Sequence, residues 1–418
     1  MRIKGAGVVL AAAVFLFAAS SAGAAALPFT STQLLGGALY FDKNLSVNRN
    51  QACQSCHVPV MGFDDPDSNL PVSQGSVLTL FGSRNAPSSA YAAFSPGFGW
   101  YFPDGPDGEG LYMGGQFWDG RVTNQAEQAM GPPNNPVEMG LPDHATVVKR
   151  LAERPLYVLT FKILYGIDIR RPASVEAAYT KMGKAIGEFE RTSLFNSFTS
   201  KYDFYLMGRA RLTRQELRGL ELYGGKANCV ACHPHELTYD GQGKPIPPMF
   251  TDFSYDNLGI PINPEIAQVN GKPMPIDYGL GRNPVVLADA NSLGLPMIDP
   301  DGNGPVATDE MGKFKVMSLR NIAVTAPYGH NGYFKTLKEI VHFYNTPSKD
   351  FTPEVAANVN MDELHDGFDS NLEGFLTDAE ENDLVAFLKT LTDGYRLVSP
   401  YGRVDVPEMP GPGPVREE

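Results

Sequence analysis

Cys53-Gln54-Ser55-Cys56-His57 and Cys229-Val230-Ala231-Cys232-His233 hold all four cysteines of the chain. Each stretch sets two thiols three residues apart, with a histidine directly after the second. This is the spacing of c-type haem attachment, where both thiols form thioethers with the haem vinyls and the adjacent imidazole becomes an axial iron ligand. Zinc ribbons and dithiol redox sites also pair cysteines, but neither requires the following histidine, and here it occurs twice. A disulfide framework is the ordinary use of four cysteines in an exported chain, yet no cysteine stands outside the two motifs. The pattern predicts two covalently bound haem c groups, one on Cys53, Cys56 and His57, the other on Cys229, Cys232 and His233.

The motifs lie 176 residues apart, which fits one haem in each of two domains. Ahead of them, residues 1–26 read as a secretory signal: Arg2 and Lys4 form a positive start, Val8 to Ala18 an apolar run, and Ala22-Gly23-Ala24 a small-residue cleavage site. The run is shorter than the roughly 20 residues a helical span needs, so no membrane span is expected. Export would place the protein in the periplasm, with the outer cell surface as the alternative. The remaining ~390 residues exceed what one core usually holds. The expected division is an N-terminal haem domain over 27–208, a C-terminal haem domain over 209–400, and a flexible tail over 401–418. A net charge of -13 argues against nucleic acid or an anionic membrane as partner, while it suits a basic redox protein.

Helical periodicity dominates. Thr213 with Glu216 forms a capping box, Leu217, Leu220 and Tyr223 follow three apart, and Gly224-Gly225 ends the helix just before Cys229. A longer helix starts at Ser174, with Val175, Ala178, Tyr179, Met182, Ile186 and Phe189 at helical spacing. Thr377 and Glu380 open another, carrying Leu384, Val385, Phe387 and Leu388 and closed by Gly394. No alternating strand pattern dominates either half. The fold class expected is mainly α, two cytochrome c-like haem domains with long irregular loops at 58–117 and 235–315, and no internal repeat beyond the haem motifs.

Further segments carry a family resemblance: Leu35-Gly36 through Phe41-Asp42, Leu45-Ser46, Arg84-Asn85-Ala86-Pro87, Phe117-Trp118-Asp119-Gly120-Arg121, Gln128 to Met139, and Thr325-Ala326-Pro327-Tyr328. Together with the haem motifs, and in this order, they resemble the di-haem cytochrome c peroxidase and MauG superfamily. The resemblance implies that peroxide reacts at the N-terminal haem and that the C-terminal haem transfers electrons. It implies catalytic roles for Gln128 and Glu138, ten residues apart, and for Trp118 between the haems. A carboxylate can move a proton between peroxide oxygens while an amide orients them. A solvated loop is the ordinary setting of a glutamate, and packing alone the ordinary role of a tryptophan.

Many members of the family place a loop histidine on the N-terminal iron at rest. No histidine stands between His57 and His144, so that iron is expected to be five-coordinate. For the C-terminal iron, Thr336 and Glu339 cap a helix on which Leu337, Ile340, Val341 and Tyr344 share one face. The family has methionine here in some members and tyrosine in MauG-like ones, so Tyr344 resembles a phenolate ligand. A core tyrosine, with Met361 or another methionine as ligand, is the other reading. Asn85, Thr325 and Pro327 match positions that hold a calcium ion in the family, oxygen donors that suit a hard cation. Asp299-Pro300-Asp301-Gly302-Asn303-Gly304 with Glu310 fits a calcium-loop pattern, or an ordinary Asp/Gly turn.

Three functions follow as expectations. The first is a peroxidase that reduces hydrogen peroxide with electrons from a small redox protein. The second is a MauG-like oxidase that modifies side chains of a protein substrate. The third is a non-catalytic electron carrier with both irons six-coordinate, for which only Met61 or Met113 lies near the first motif as a further ligand.

Overall fold

The computed structural model describes residues 29–103, 105, 108–239, 243, 245–345, 351–360 and 376–396. The signal segment, Met361 and the 401–418 tail fall outside them. Among the described residues no helix is long and apolar enough to cross a membrane. The chain divides into two compact units, and each gathers separate stretches of sequence.

The first unit comprises Met1–Ser55, Gln74–Leu80 and Gln125–Thr192. Its described helices are α1 (Ser31–Tyr40), α2 (His144–Ala152), α3 (Pro155–Tyr165) and α4 (Val175–Glu190). Helix α4 begins after Ser174 and buries Ala178, Tyr179, Met182, Ile186 and Phe189, the face its periodicity predicts. Helix α1 crosses it at Gly36, where a Cβ would stand 1.8 Å from the Ala185 carbonyl oxygen. Tyr40 fills the next turn, edge-on to Phe189 at 5.6 Å.

The second unit comprises Cys56–Ser73, Phe81–Asn124 and Ser193–Glu418. Its described helices are α5 (Lys201–Leu206), α6 (Arg214–Gly224), α7 (Pro264–Asn270), α8 (Pro284–Leu293), α9 (Leu337–Asn345) and α10 (Asp378–Lys389). The boxes at Thr213 and Thr377 cap α6 and α10 as read from sequence. The buried face of α6 differs from the expected leucine row: Leu217 is exposed, while Gly219 and Tyr223 are buried. The reason is close approach. A Cβ at Gly219 would lie 2.0 Å from the Asp383 carbonyl oxygen of α10.

The two helix pairs expose an internal repeat that sequence reading misses. Thr30, Gly36 and Tyr40 of the first unit recur as Thr213, Gly219 and Tyr223 of the second. Each threonine caps its helix in a capping box, each glycine meets a partner backbone, and each tyrosine is fully buried. With Leu34 and Leu39 recurring as Leu217 and Leu222, five residues per helix are held in common, too few to stand out from the diverged remainder.

Gly219→Ala is expected to destabilise the second unit by at least about 1–3 kcal/mol, because the added methyl forces α6 away from α10. Denaturant unfolding followed by circular dichroism reads this, and an unchanged midpoint would contradict the tight crossing.

Long loops dominate elsewhere, but 235–315 is less irregular than expected, since it contains α7, α8 and short antiparallel pairs. Strand β1 (Tyr255–Asp256) pairs with β2 (Phe314–Lys315), with Tyr255 opposite Lys315. The residues Met297–Ile298 and Val306–Ala307 form a hairpin around the Asp299–Gly304 turn.

Candidate haem centres

Both motif histidines are fixed by backbone. His57 Nδ1 lies 3.2 Å from the Phe63 carbonyl oxygen, and His233 Nδ1 lies 2.8 Å from that of Phe250. A carbonyl can only accept, so each contact puts the ring proton on Nδ1 and the lone pair on Nε2, as an axial ligand requires. Burial lowers both imidazoles below the ordinary histidine range, His233 to about 4, so both are neutral donors near pH 7. Phe63 and Phe250 both adopt left-handed backbone, with φ of 60° and 54°. Such conformations are costly for bulky side chains and persist where the surroundings over-determine them. Here they turn the carbonyl toward the ring.

In the second unit, Cys229, Cys232 and His233 line a cavity of about 300 Å³ together with Trp118, Tyr344, Asn85, Thr325 and Pro327. Eight of the expected site residues outside the first motif therefore belong to one space or its wall. Tyr344 stands on α9, where Leu337 and Val341 are buried and His342 points outward, as the helical pattern requires. Thr336 caps that helix, its Oγ1 accepting from the Glu339 amide at 3.2 Å. Trp118 Nε1 donates to the Asn85 carbonyl at 2.8 Å, and Asn85 Nδ2 contacts the Pro327 carbonyl at 2.5 Å. The donor set fits a haem: two thiols, an oriented imidazole and an apolar enclosure.

In the first unit, Gln128 ends a helical turn, Gln125–Gln128, that lies against α4 at Gly183 and Gly187. A Cβ at Gly183 would meet the Ala126 carbonyl at 2.5 Å, so α4 is bare where the turn rests. The chain then runs to Glu138, whose Oε1 accepts from Asn135 Nδ2 at 2.7 Å. The Tyr179 hydroxyl anchors this loop at the Met130 carbonyl and, at 2.9 Å, Asn134 Oδ1. The Glu138 backbone carbonyl accepts from the Ser76 amide at 2.6 Å, and Asn48 and Asn50 both donate to the Ser76 carbonyl at 2.9 Å. Val47 N donates to the Met139 carbonyl at 2.8 Å. The loop of Glu138 is thus stitched to the segment that leads into Cys53. Gln128 and Glu138 are both half-buried.

The Asp299–Gly304 stretch is a hairpin turn with no flanking helices. Asp301 pairs with Arg282 at 2.5 Å and Glu310 with Lys313 at 3.0 Å, so two of its acids already face cations of the chain. The ordinary Asp/Gly turn describes it.

Two ion pairs, one half-buried and one fully buried, escaped sequence reading. Arg84 is bidentate on Asp277, at 2.6 and 2.8 Å, and reaches Asp119 at 2.7 Å. Burial alone would raise the Asp277 carboxyl, but Arg84 outweighs it and brings it down to about 2. Arg320 is bidentate on Asp203, at 2.9 and 3.1 Å, with both side chains 1% exposed. The signal was present, since Arg84-Asn85 recurs as Arg320-Asn321.

Several known proteins resemble this chain. Residues 30–211 match the family model described as di-haem cytochrome c peroxidase. The chain is 36% identical over 377 residues to the methylamine utilization protein MauG of Paracoccus denitrificans, covering 86% of this chain and 88% of that protein. It is 29% identical to the cytochrome c551 peroxidase of Nitrosomonas europaea, covering 86% and 79% of the two chains. The crystal structure of the diheme peroxidase BthA from Burkholderia thailandensis superimposes with a TM-score of 0.71 at 31% identity, over 89% of this chain and 88% of that one. The chain therefore belongs to the di-haem cytochrome c peroxidase and MauG family of oxidoreductases, whose two haems are of the c type.

Proposed function

We propose that the protein is an exported, periplasmic peroxidase that reduces hydrogen peroxide beside the haem of Cys53, Cys56 and His57, drawing electrons by way of the second haem. In this reading the sequence stretch 27–208 carries the peroxidatic haem motif and 209–400 the electron-transfer motif. Each haem, when bound, supplies a one-electron iron couple. Two electrons and two protons convert one hydrogen peroxide into two waters. The observation that carries the reading is the fastening of the Glu138 loop to residues 47–50, directly ahead of the first motif. Glu138 moves a proton from one peroxide oxygen to the other, and the Gln128 amide orients the oxygens. Trp118 offers an indole for electron relay, and its ring is held by the Asn85 carbonyl. Asn85, Thr325 and Pro327 offer amide and carbonyl oxygens, the donors that a calcium ion takes.

A second reading has one observation in its favour. Tyr344 lines the same cavity as His233, and a phenolate there suits a MauG-like oxidase that takes electrons from a protein substrate. Electronic and spin-resonance spectra of the ferric protein test the site shared by both. One high-spin and one low-spin haem, without a methionine sulfur-to-iron band, are expected, with peroxide consumed without prior reduction. Two low-spin haems inert until reduced would overturn the open first site and return the chain to peroxidases that need reductive activation, or to electron carriers. Steady-state oxidation of a small reduced cytochrome, against change in a candidate protein substrate, then separates the two enzyme readings.

Tyr344→Met is expected to raise the potential of the low-spin haem, since a thioether favours ferrous iron. The ferrous-to-ferric ratio at fixed applied potential should rise at least about tenfold, about 59 mV for one electron. Spectroelectrochemical titration reads it, and an unmoved potential would leave Tyr344 a packing residue.

A further inference from the structure

Lys315 is a buried cation that the reading above does not use. It is 7% exposed and lines the cavity that Cys229, Cys232 and His233 share. Its Nζ donates to Ser95 Oγ at 2.6 Å and to the Gly115 carbonyl, and it faces the Phe253 ring at 5.6 Å. Its backbone is pinned as well: its N–H donates to the Trp118 carbonyl at 2.9 Å, and Tyr255 sits opposite it in the strand pair.

Among the described residues no carboxylate lies within ion-pairing distance of Nζ. The other two basic side chains nearby differ in this respect, because Arg84 is matched by Asp277 and Asp119, and Arg320 by Asp203. Two neutral acceptors do not replace a counter-ion for an ammonium group removed from water. Burial on its own drives Lys315 down to about 7, which shows how poorly the protein alone supports its charge. A buried cation of this kind calls for an anion that the polypeptide does not supply. A haem brings two propionate carboxylates.

We propose that Lys315 is the counter-charge of a propionate on the haem carried by Cys229, Cys232 and His233. The ammonium pairs with the carboxylate, while Ser95 and Gly115 aim its remaining hydrogens. Because its main chain is bonded to that of Trp118, the same residue ties the propionate to the backbone of the tryptophan. The proposal rests on the reading that this cavity holds the second haem.

Lys315→Gln, Lys315→Met and Lys315→Arg in the full holoprotein test it. Haem content per chain is measured first: two haems in every variant keep the cavity reading intact, whatever the charge does. The midpoint potential of the low-spin haem follows. Loss of a neighbouring positive charge favours ferric iron, so the Gln and Met variants are expected to show a ferrous-to-ferric ratio about tenfold lower at fixed potential, about 59 mV. The Arg variant should stay within about twofold of the wild type. Unchanged potentials in the Gln and Met variants, or an equal shift in all three, would overturn the proposal. Should the uncharged variants fail to accumulate, resonance Raman spectra of the wild type and the Arg variant decide. Propionate bending bands that differ between them support the pair, and identical bands overturn it.

Discussion

Glu138→Gln is expected to lower kcat/KM for hydrogen peroxide by about 10²–10⁴-fold, the usual worth of a positioned acid-base group. The glutamine keeps a carbonyl oxygen to accept from Asn135 Nδ2, so the loop between Pro132 and Met139 should hold its shape. What it lacks is a group that can take a proton from one oxygen and return it to the other. The loss should therefore appear in the reaction with peroxide and not in haem content or in the unfolding midpoint. Stopped-flow mixing of the ferric variant with peroxide gives the rate constant. A fall of less than about threefold would place Glu138 among ordinary solvated carboxylates. Gln128→Ala should also lower the rate, and its dependence on pH should keep the wild-type shape, because an amide does not titrate.

The second large effect concerns stability. Asp203→Asn is expected to cost about 3–5 kcal/mol, since it leaves the Arg320 guanidinium buried without its anion. Arg320 is enclosed by the Tyr91, Phe198 and Phe250 rings at 4.8, 4.5 and 5.8 Å, and no water-exposed route relieves the charge. Burial alone would raise the Asp203 carboxyl, but Arg320 and Ser200 outweigh it and hold it below the ordinary carboxylate range. A carboxyl depressed in the folded state contributes stability that is present above its unfolded pKa of about 3.9 and lost as pH falls through the folded value. Asp277, at about 2, acts in the same window. Wild-type stability should thus decline steeply below about pH 4, and the Asp203→Asn profile should decline less there. Guanidinium unfolding at several pH values measures both. Parallel profiles displaced by a constant would show that the pair is not the source.

The parts of this molecule legible in its sequence are those fixed by neighbours along the chain. Caps at Thr213, Thr336 and Thr377 depend on a residue three positions on, and all three form. The haem motifs are equally local. Helices α7 and α8 were also marked, by Asn263-Pro264 and Asn283-Pro284 at their starts and Gly271 and Gly294 at their ends. Their proline and glycine read as loop composition because both helices are short and lie in a segment rich in such residues. Gly394 was taken as a helix end, yet α10 stops at Lys389 and the glycine turns the chain beyond it.

Illegible were features set by distant partners. The glycines at 36 and 219 matter because of carbonyls on α4 and α10, and no local pattern announces them. The aspartates beside Arg84 and Arg320 and the unmatched charge of Lys315 depend in the same way on tertiary placement. Gln128, Glu138, Trp118 and Tyr344 could be named from resemblance, whereas their supports, such as Gly183 and Tyr179, could not.

The anchoring of His57 and His233 on backbone carbonyls separates what can drift from what cannot. Substituting Phe63 or Phe250 changes a ring, but the oxygen that orients each imidazole belongs to the peptide and survives. Were each imidazole to hold an iron, its donor strength would be written in chain geometry and insulated from point mutation. The residues proposed for the opposite sides are side chains, open to exchange one codon at a time. Lineages sharing this scaffold can then diverge in reactivity while the metal-holding half stays constant, an inheritance divided between backbone and side chain.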